Sequence, residues 1–178
     1  MPDDNQHYPY RQDVIEFVTI AVETCLLLEH VSEQEKQPFV EKLLAYLPLL
    51  YLKTRCLLPL PEEQTDGYLQ RVVAEDDYNY IAEGVKLLLG SDDAYLEVFE
   101  QDMRYSDKPI TAFISENLAD IYQELKDMAF NYGQQEESVM NDAVRSCLES
   151  FREHWGQKLL NCLRALHSLS LSLEQETD

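Results

Sequence analysis

The feature that most constrains this chain is a long helical periodicity near its C-terminus. Phe151, Trp155, Leu159, Cys162, Leu166 and Leu169 recur at steps of three and four, the spacing that lines one face of an α-helix. One helix over about 136–172 would run on the order of 50 Å at 1.5 Å per residue. Such a rod is stable in water only when other helices bury its apolar stripe. Leu160 and Leu163 fall off that stripe, which predicts cover on more than one side.

The rest of the chain repeats the pattern. Val14, Phe17, Val18, Ala21, Cys25 and Leu28 face away from Gln12, Glu16, Thr19 and Glu23, predicting an amphipathic helix from Arg11 to about Val31. Ser32 and Glu35 have capping-box spacing. Phe39, Leu43, Leu44, Leu47, Leu50 and Tyr51 carry a second helix to about Cys56, with a late start at Pro38 or kinks at Pro38 and Pro48. Pro59-Leu-Pro61 stops it, and 59–67 reads as a loop. A helical stretch over 68–89, divided by Glu75-Asp-Asp77, ends at Gly90. Ser91 and Asp92 are placed to cap a short helix bearing Tyr95, Leu96, Val98 and Phe99. Asp107-Lys-Pro109 is read as opening a helix through Ile110, Phe113, Ile114, Leu118, Ile121, Leu125, Met128 and Tyr132 that ends at Gly133.

With only 5 glycines and no alternating strand pattern, the expectation is an all-α, single-domain helical bundle over residues 1–178. It should hold about six helices and a long C-terminal helix, with 1–10 and 174–178 loose.

Charge narrows the function. Against 14 Lys and Arg stand 34 Asp and Glu, a net −20. Such a surface repels nucleic-acid phosphates and anionic membranes. It leaves a basic protein partner, a divalent cation or mimicry of nucleic acid. Half the excess sits in residues 62–107, whereas 145–167 carry Arg145, Arg152, Lys158 and Arg164 against Glu149 and Glu153. Cys25, Cys56, Cys147 and Cys162 form no Cys-x-x-Cys pair and lie among apolar residues. The N-terminus lacks the pattern of a signal peptide, and no apolar run spans a bilayer. A reducing, cytoplasmic location is expected.

Titratable groups stand at the edges of apolar faces in two places. Asn117, Asp120, Glu124, Asp127 and Asn131 form one polar row on the helix around 109–132. Lys158 interrupts the C-terminal stripe beside Trp155, with His154 one turn before. A lysine there either snorkels to water or meets a carboxylate, and Asp120 and Glu124 are the first candidates. Gly156 costs helix stability, which close approach of another helix would explain. The cluster Asp120, Glu124, His154, Trp155 and Lys158 is therefore either a structural lock or a site. The same carboxylates permit a magnesium reading: Glu97 and Glu100 at i,i+3 with Asp120 and Glu124 supply hard oxygen ligands. This arrangement faintly resembles the all-α nucleotide pyrophosphohydrolases, although Asn117 stands where that family has Glu.

No phosphate loop, nucleotide fingerprint or nucleophile elbow is present. His7, His30, His154 and His167 are scattered without zinc spacing. No Glu-x-x-His repeat supports a di-iron bundle. Tyr46, Tyr51, Tyr78, Tyr80, Tyr95, Tyr105 and Tyr122 are candidates to line a groove.

Leu118-Ala-Asp-Ile-Tyr122, Glu124-Leu-Lys126, His154-Trp-Gly156 and Ala165-Leu-His167 resemble a family of small, acidic, all-helical bacterial proteins classed as a domain of unknown function. The resemblance covers nearly the whole chain. It implies the fold and a bacterial cytoplasm, and it implies no activity. The favoured expectation is a non-catalytic helical module with no cofactor, binding a protein through its acidic face or a tyrosine-lined groove. The alternative is a magnesium-dependent, pyrophosphohydrolase-like enzyme.

Overall fold

The computed structural model describes residues 7–59, 67–97 and 110–177, with side chains described through 175. Six α-helices carry it: α1 (Gln12–Glu29), α2 (Lys36–Cys56), α3 (Glu75–Leu89), α4 (Ile114–Tyr132), α5 (Glu137–Ser150) and α6 (Gly156–Thr177). Helix α4 is the hub, packing against α1, α3, α5 and α6, while α2 fills the space between α1 and α6. The expected stripes supply the core: Val14, Phe17, Phe39, Leu43, Leu118, Leu125, Trp155, Leu159 and Leu166 are all buried in one cluster.

Several boundaries differ from the sequence reading, each for a local reason. The C-terminal rod is two helices joined by a π turn over Phe151–Trp155. Gly156 sits at its exit, where an added Cβ would lie 2.5 Å from the Phe151 carbonyl oxygen and 3.0 Å from the Phe151 ring. The glycine thus accommodates the turn itself and not, as expected, a second helix. Trp155 locks the turn by donating its indole N–H to the Cys147 carbonyl at 3.0 Å and standing edge-on to Phe151.

Glu75-Asp-Asp77 does not divide a helix but starts α3, where acids favour the positive end of the helix dipole, and Asp77 accepts the Ala74 N–H at 2.9 Å. Residues 67–74 run without helix along the bundle. Pro38 lies in the first turn of α2, where its missing N–H costs nothing, and Glu35, not Ser32, is the residue before that helix. The helix expected after Ser91 is instead a 3-10 turn, Gly90–Asp93, leading into strand β1 (Ala94–Leu96). This strand pairs antiparallel with β2 (Thr111–Phe113), Tyr95 facing Ala112. Ile110 and Phe113 are therefore not helical, and the helix expected from Pro109 starts only at Ile114. Val98, Phe99, Glu100, Tyr105 and Pro109 lie outside the described residues. At the other end, Tyr8–Tyr10 forms a docked 3-10 turn and not a loose lead-in: Pro9 is buried and its carbonyl accepts the Tyr132 hydroxyl at 2.6 Å.

Candidate functional site

The polar row of α4 is where the titratable groups collect, and its members face four different neighbours. At the lower end Asn131 brackets one residue of the 67–74 segment. Its Oδ1 accepts the Gln70 N–H at 2.9 Å and its Nδ2 donates to the Gln70 carbonyl at 2.8 Å. One turn up, Asp127 accepts the N–H groups of Val72 and Val73 at 2.8 and 3.1 Å. From α5, Asp142 accepts the Gly67 N–H at 2.8 Å. Side chains thus supply the backbone partners that a sheet would give an extended segment.

In the middle of the row Asp120 takes both Lys158 of α6 and the Tyr78 hydroxyl of α3, the latter at 3.0 Å. The pair is half open to water, with Lys158 41% and Asp120 32% exposed. Burial, then the neighbouring Asp120 carboxylate, pushes the Tyr78 phenol well above its ordinary value. On the adjoining face of α4, Tyr122 and Lys126 both reach the Glu29 carboxylate of α1, at 2.9 and 2.5 Å.

At the upper end the row meets the hairpin. Asn117 donates to the Tyr95 hydroxyl. Glu97, only 6% exposed, accepts the Tyr95 hydroxyl at 3.1 Å and the Asn161 amide of α6 at 2.6 Å. Asp93, 2% exposed, accepts both the N–H and the hydroxyl of Ser115 at 2.7 Å. A residue from the preceding 3-10 turn therefore caps α4, whose own flanking residue Phe113 has no capping oxygen.

The cluster expected around Lys158 is not one constellation in space. Asp120 and Lys158 meet, but Trp155 lies in the core and His154 is exposed on the π turn, 3.8 Å from Glu153. Glu124 lines a separate cleft of about 140 Å³ with Arg71, Asp127, Asn131, Ser146 and Cys147. Of the magnesium candidates, Glu97 is held by Tyr95 and Asn161, Asp120 by Lys158 and Tyr78, and Glu100 lies outside the described residues. Among the described residues no three His, Cys, Asp or Glu side chains are grouped to hold a metal ion. Nor do Tyr51, Tyr78, Tyr80, Tyr95 and Tyr122, among the described residues, share one groove. Tyr78, Tyr95 and Tyr122 each bind a different carboxylate, Tyr51 packs against Phe151 at 5.3 Å, and Tyr80 donates to the Glu29 carbonyl at 3.1 Å.

The sequence reading missed Asp93 as a remote cap and Glu29 as the acceptor for two α4 side chains. Neither lies near its partner in the chain, and an acid at a helix end carries no local sign of which donor it will find. All four cysteines are free thiols. Burial pushes Cys25 up to about 12 and raises Cys147 and Cys162 as well. Cys56 is exposed.

A braced, all-helical hub of this kind defines the chain by its architecture before any chemistry. The family described as Domain of unknown function (DUF5063) matches residues 9–172, and the chain belongs to it. The chain is also similar to protein BF1032 from Bacteroides fragilis, known from a crystal structure. The two are 39% identical, with a TM-score of 0.78 over 89% of this chain and 92% of that one. No curated protein matches. No helix among the described residues is long and apolar enough to cross a membrane.

Proposed function

We propose that this chain is a non-catalytic helical module that binds a protein partner and carries an acidic surface. One observation carries the reading: apart from Glu124, which lines its own small cleft, the candidate carboxylates among the described residues are already engaged in holding elements together. Asp93 caps α4, Asp120 ties α4 to α3 and α6, Asp127 holds the 67–74 backbone, and Glu97 joins the hairpin to α6. A general acid or base must be able to exchange its proton with substrate, and a metal ligand must turn a lone pair to the ion. Side chains already committed to ammonium, phenol and amide donors are poorly placed for either. The net charge of −20 disfavours nucleic acid and anionic membranes as partners, which leaves proteins as the partner class.

The test is hydrolysis of nucleoside triphosphates by the purified protein with magnesium. No turnover and no tight magnesium site by calorimetry are expected. Turnover that disappears in Asp120→Ala and Glu124→Ala, while both variants stay folded, would overturn the reading and make the chain a magnesium enzyme.

A further inference from the structure

The acids of this chain are unevenly placed in three dimensions. Residues 42–61 and 154–173 contain no Asp or Glu. They include most of α2 and most of α6, two helices packed side by side. The rings of Tyr51 and Phe151 meet near one end of the contact, while Leu44 and Pro48 lie with Leu163 and His167 toward the other, so the helices run antiparallel. Between them an open groove of about 490 Å³ is lined by Leu44, Pro48, Leu160, Leu163, Arg164 and His167.

The groove is apolar along its floor and cationic at its rim. Leu160 and Leu171 continue one face of α6, and Leu49 and Leu52 flank Pro48 on the outside of α2, with Leu160 41% and Leu52 57% exposed. Arg55 lies two turns beyond Pro48 on the α2 face. Neither Arg55 nor Arg164 makes an ion pair among the described residues. Exposed apolar side chains gathered on two adjacent helices, beside unpaired cations, mark a recognition surface more specifically than scattered leucines do.

We infer that the α2/α6 groove docks an amphipathic helix of a partner protein, whose apolar stripe fills the groove and whose acidic flanks meet Arg55, Arg164 and His167. This rests on the module reading and adds the surface and the partner's chemistry. Charge complementarity selects the occupant. In a two-fold pairing of this face with a second copy, cations at the rim would oppose like cations. A basic helix would be repelled here and drawn to the acidic helices. Screening confines these fields to roughly 8–10 Å at physiological salt, so the local acid-free patch governs docking despite the net negative charge. The ridge from Leu44 to Arg55 is about 16 Å long, room for some three helical turns.

The test uses a displayed library of helical peptides about three turns long, randomised throughout and selected on the 178-residue chain. The recovered sequences are then made synthetically in glutamate-flanked and lysine-flanked forms. The expected result is recovery of apolar residues at helical spacing beside Asp or Glu. Amide shift changes should map to 44–56 and 158–171, with at least about tenfold weaker binding for the lysine form. Arg164→Glu should lose a similar factor. Leu160→Asp and Leu52→Asp, both exposed and checked for helix content, should abolish binding.

Three results would overturn the inference. One is recovery of no binder, or of lysine-flanked binders that map to the acidic helices. Another is binding that survives both leucine variants. The third is a wild-type dimer by sedimentation that Leu160→Asp converts to monomer, which would give the face to a second copy. None of these touches the module reading, which fails only by magnesium-dependent turnover.

Discussion

Helices α4 and α6 each carry a second stripe beside the one they bury, and the two stripes have opposite fates. On α4 it is polar, and Asn117, Asp120, Asp127 and Asn131 all find partners inside the molecule. On α6 it is mostly apolar, running through Leu160, Leu163 and His167, which line an open groove, to the exposed Leu171. Polar groups at a helix edge must be satisfied wherever burial approaches, so they recruit backbone, phenol and ammonium from neighbouring elements. Apolar groups carry no such demand and can wait for a surface from outside. The stripe that resembled an active site therefore holds elements of the fold together, and the apolar stripe is the surface we propose for recognition.

The difference should be largest at alkaline pH. Burial raises the phenols of Tyr78, Tyr95 and Tyr122, all bonded to the α4 row or its neighbouring carboxylates, and raises Tyr8 to about 12. A phenol whose folded value exceeds the unfolded value near 10 keeps more protons when folded. Its stabilising contribution is complete below about pH 10 and is lost as pH rises through the raised folded values. Tyrosinate absorbance should show these four ionising together with cooperative loss of helix. Independent titration near pH 10 with helix intact would contradict the bracing. The α6 stripe contains no phenol and should add nothing to this transition.

Trp155→Ala removes the side chain that locks the π turn from which α6 sets out. It should cost about 3–5 kcal/mol in urea unfolding. Asn131→Ala strands the Gln70 N–H and carbonyl and should cost about 2 kcal/mol, with faster amide exchange confined first to residues 67–74. Lys158→Ala should cost less than about 1 kcal/mol, because the pair with Asp120 is half exposed and screened. A loss of several kcal/mol there would mean the ion pair is a buried lock.

The sequence revealed the helices whose stripes run long: every residue of the stripe from Phe151 to Leu169 is buried. It did not reveal what depends on distant partners. The hairpin of Ala94–Leu96 and Thr111–Phe113 has three residues per strand, too few to show alternation. The π turn leaves the stripe's spacing intact, so periodicity reads straight through it, and only Gly156 beside two aromatics hints at the break. The candidate site was half legible. The spacing of the α4 row and the place of Lys158 were visible. Which carboxylate would take the lysine, and that Asn131 would bracket Gln70 across 61 residues of chain, depended on tertiary packing that no local pattern encodes.

The most direct measurement of the contrast is the urea unfolding of Leu160→Asp beside that of Asn131→Ala. An aspartate on the open α6 stripe should leave stability within about 0.5 kcal/mol of the parent, while the asparagine variant loses about 2 kcal/mol. If Leu160→Asp proved the more damaging of the two, the second stripe of α6 would be part of the core, and the division between inner scaffold and outer surface would be wrong.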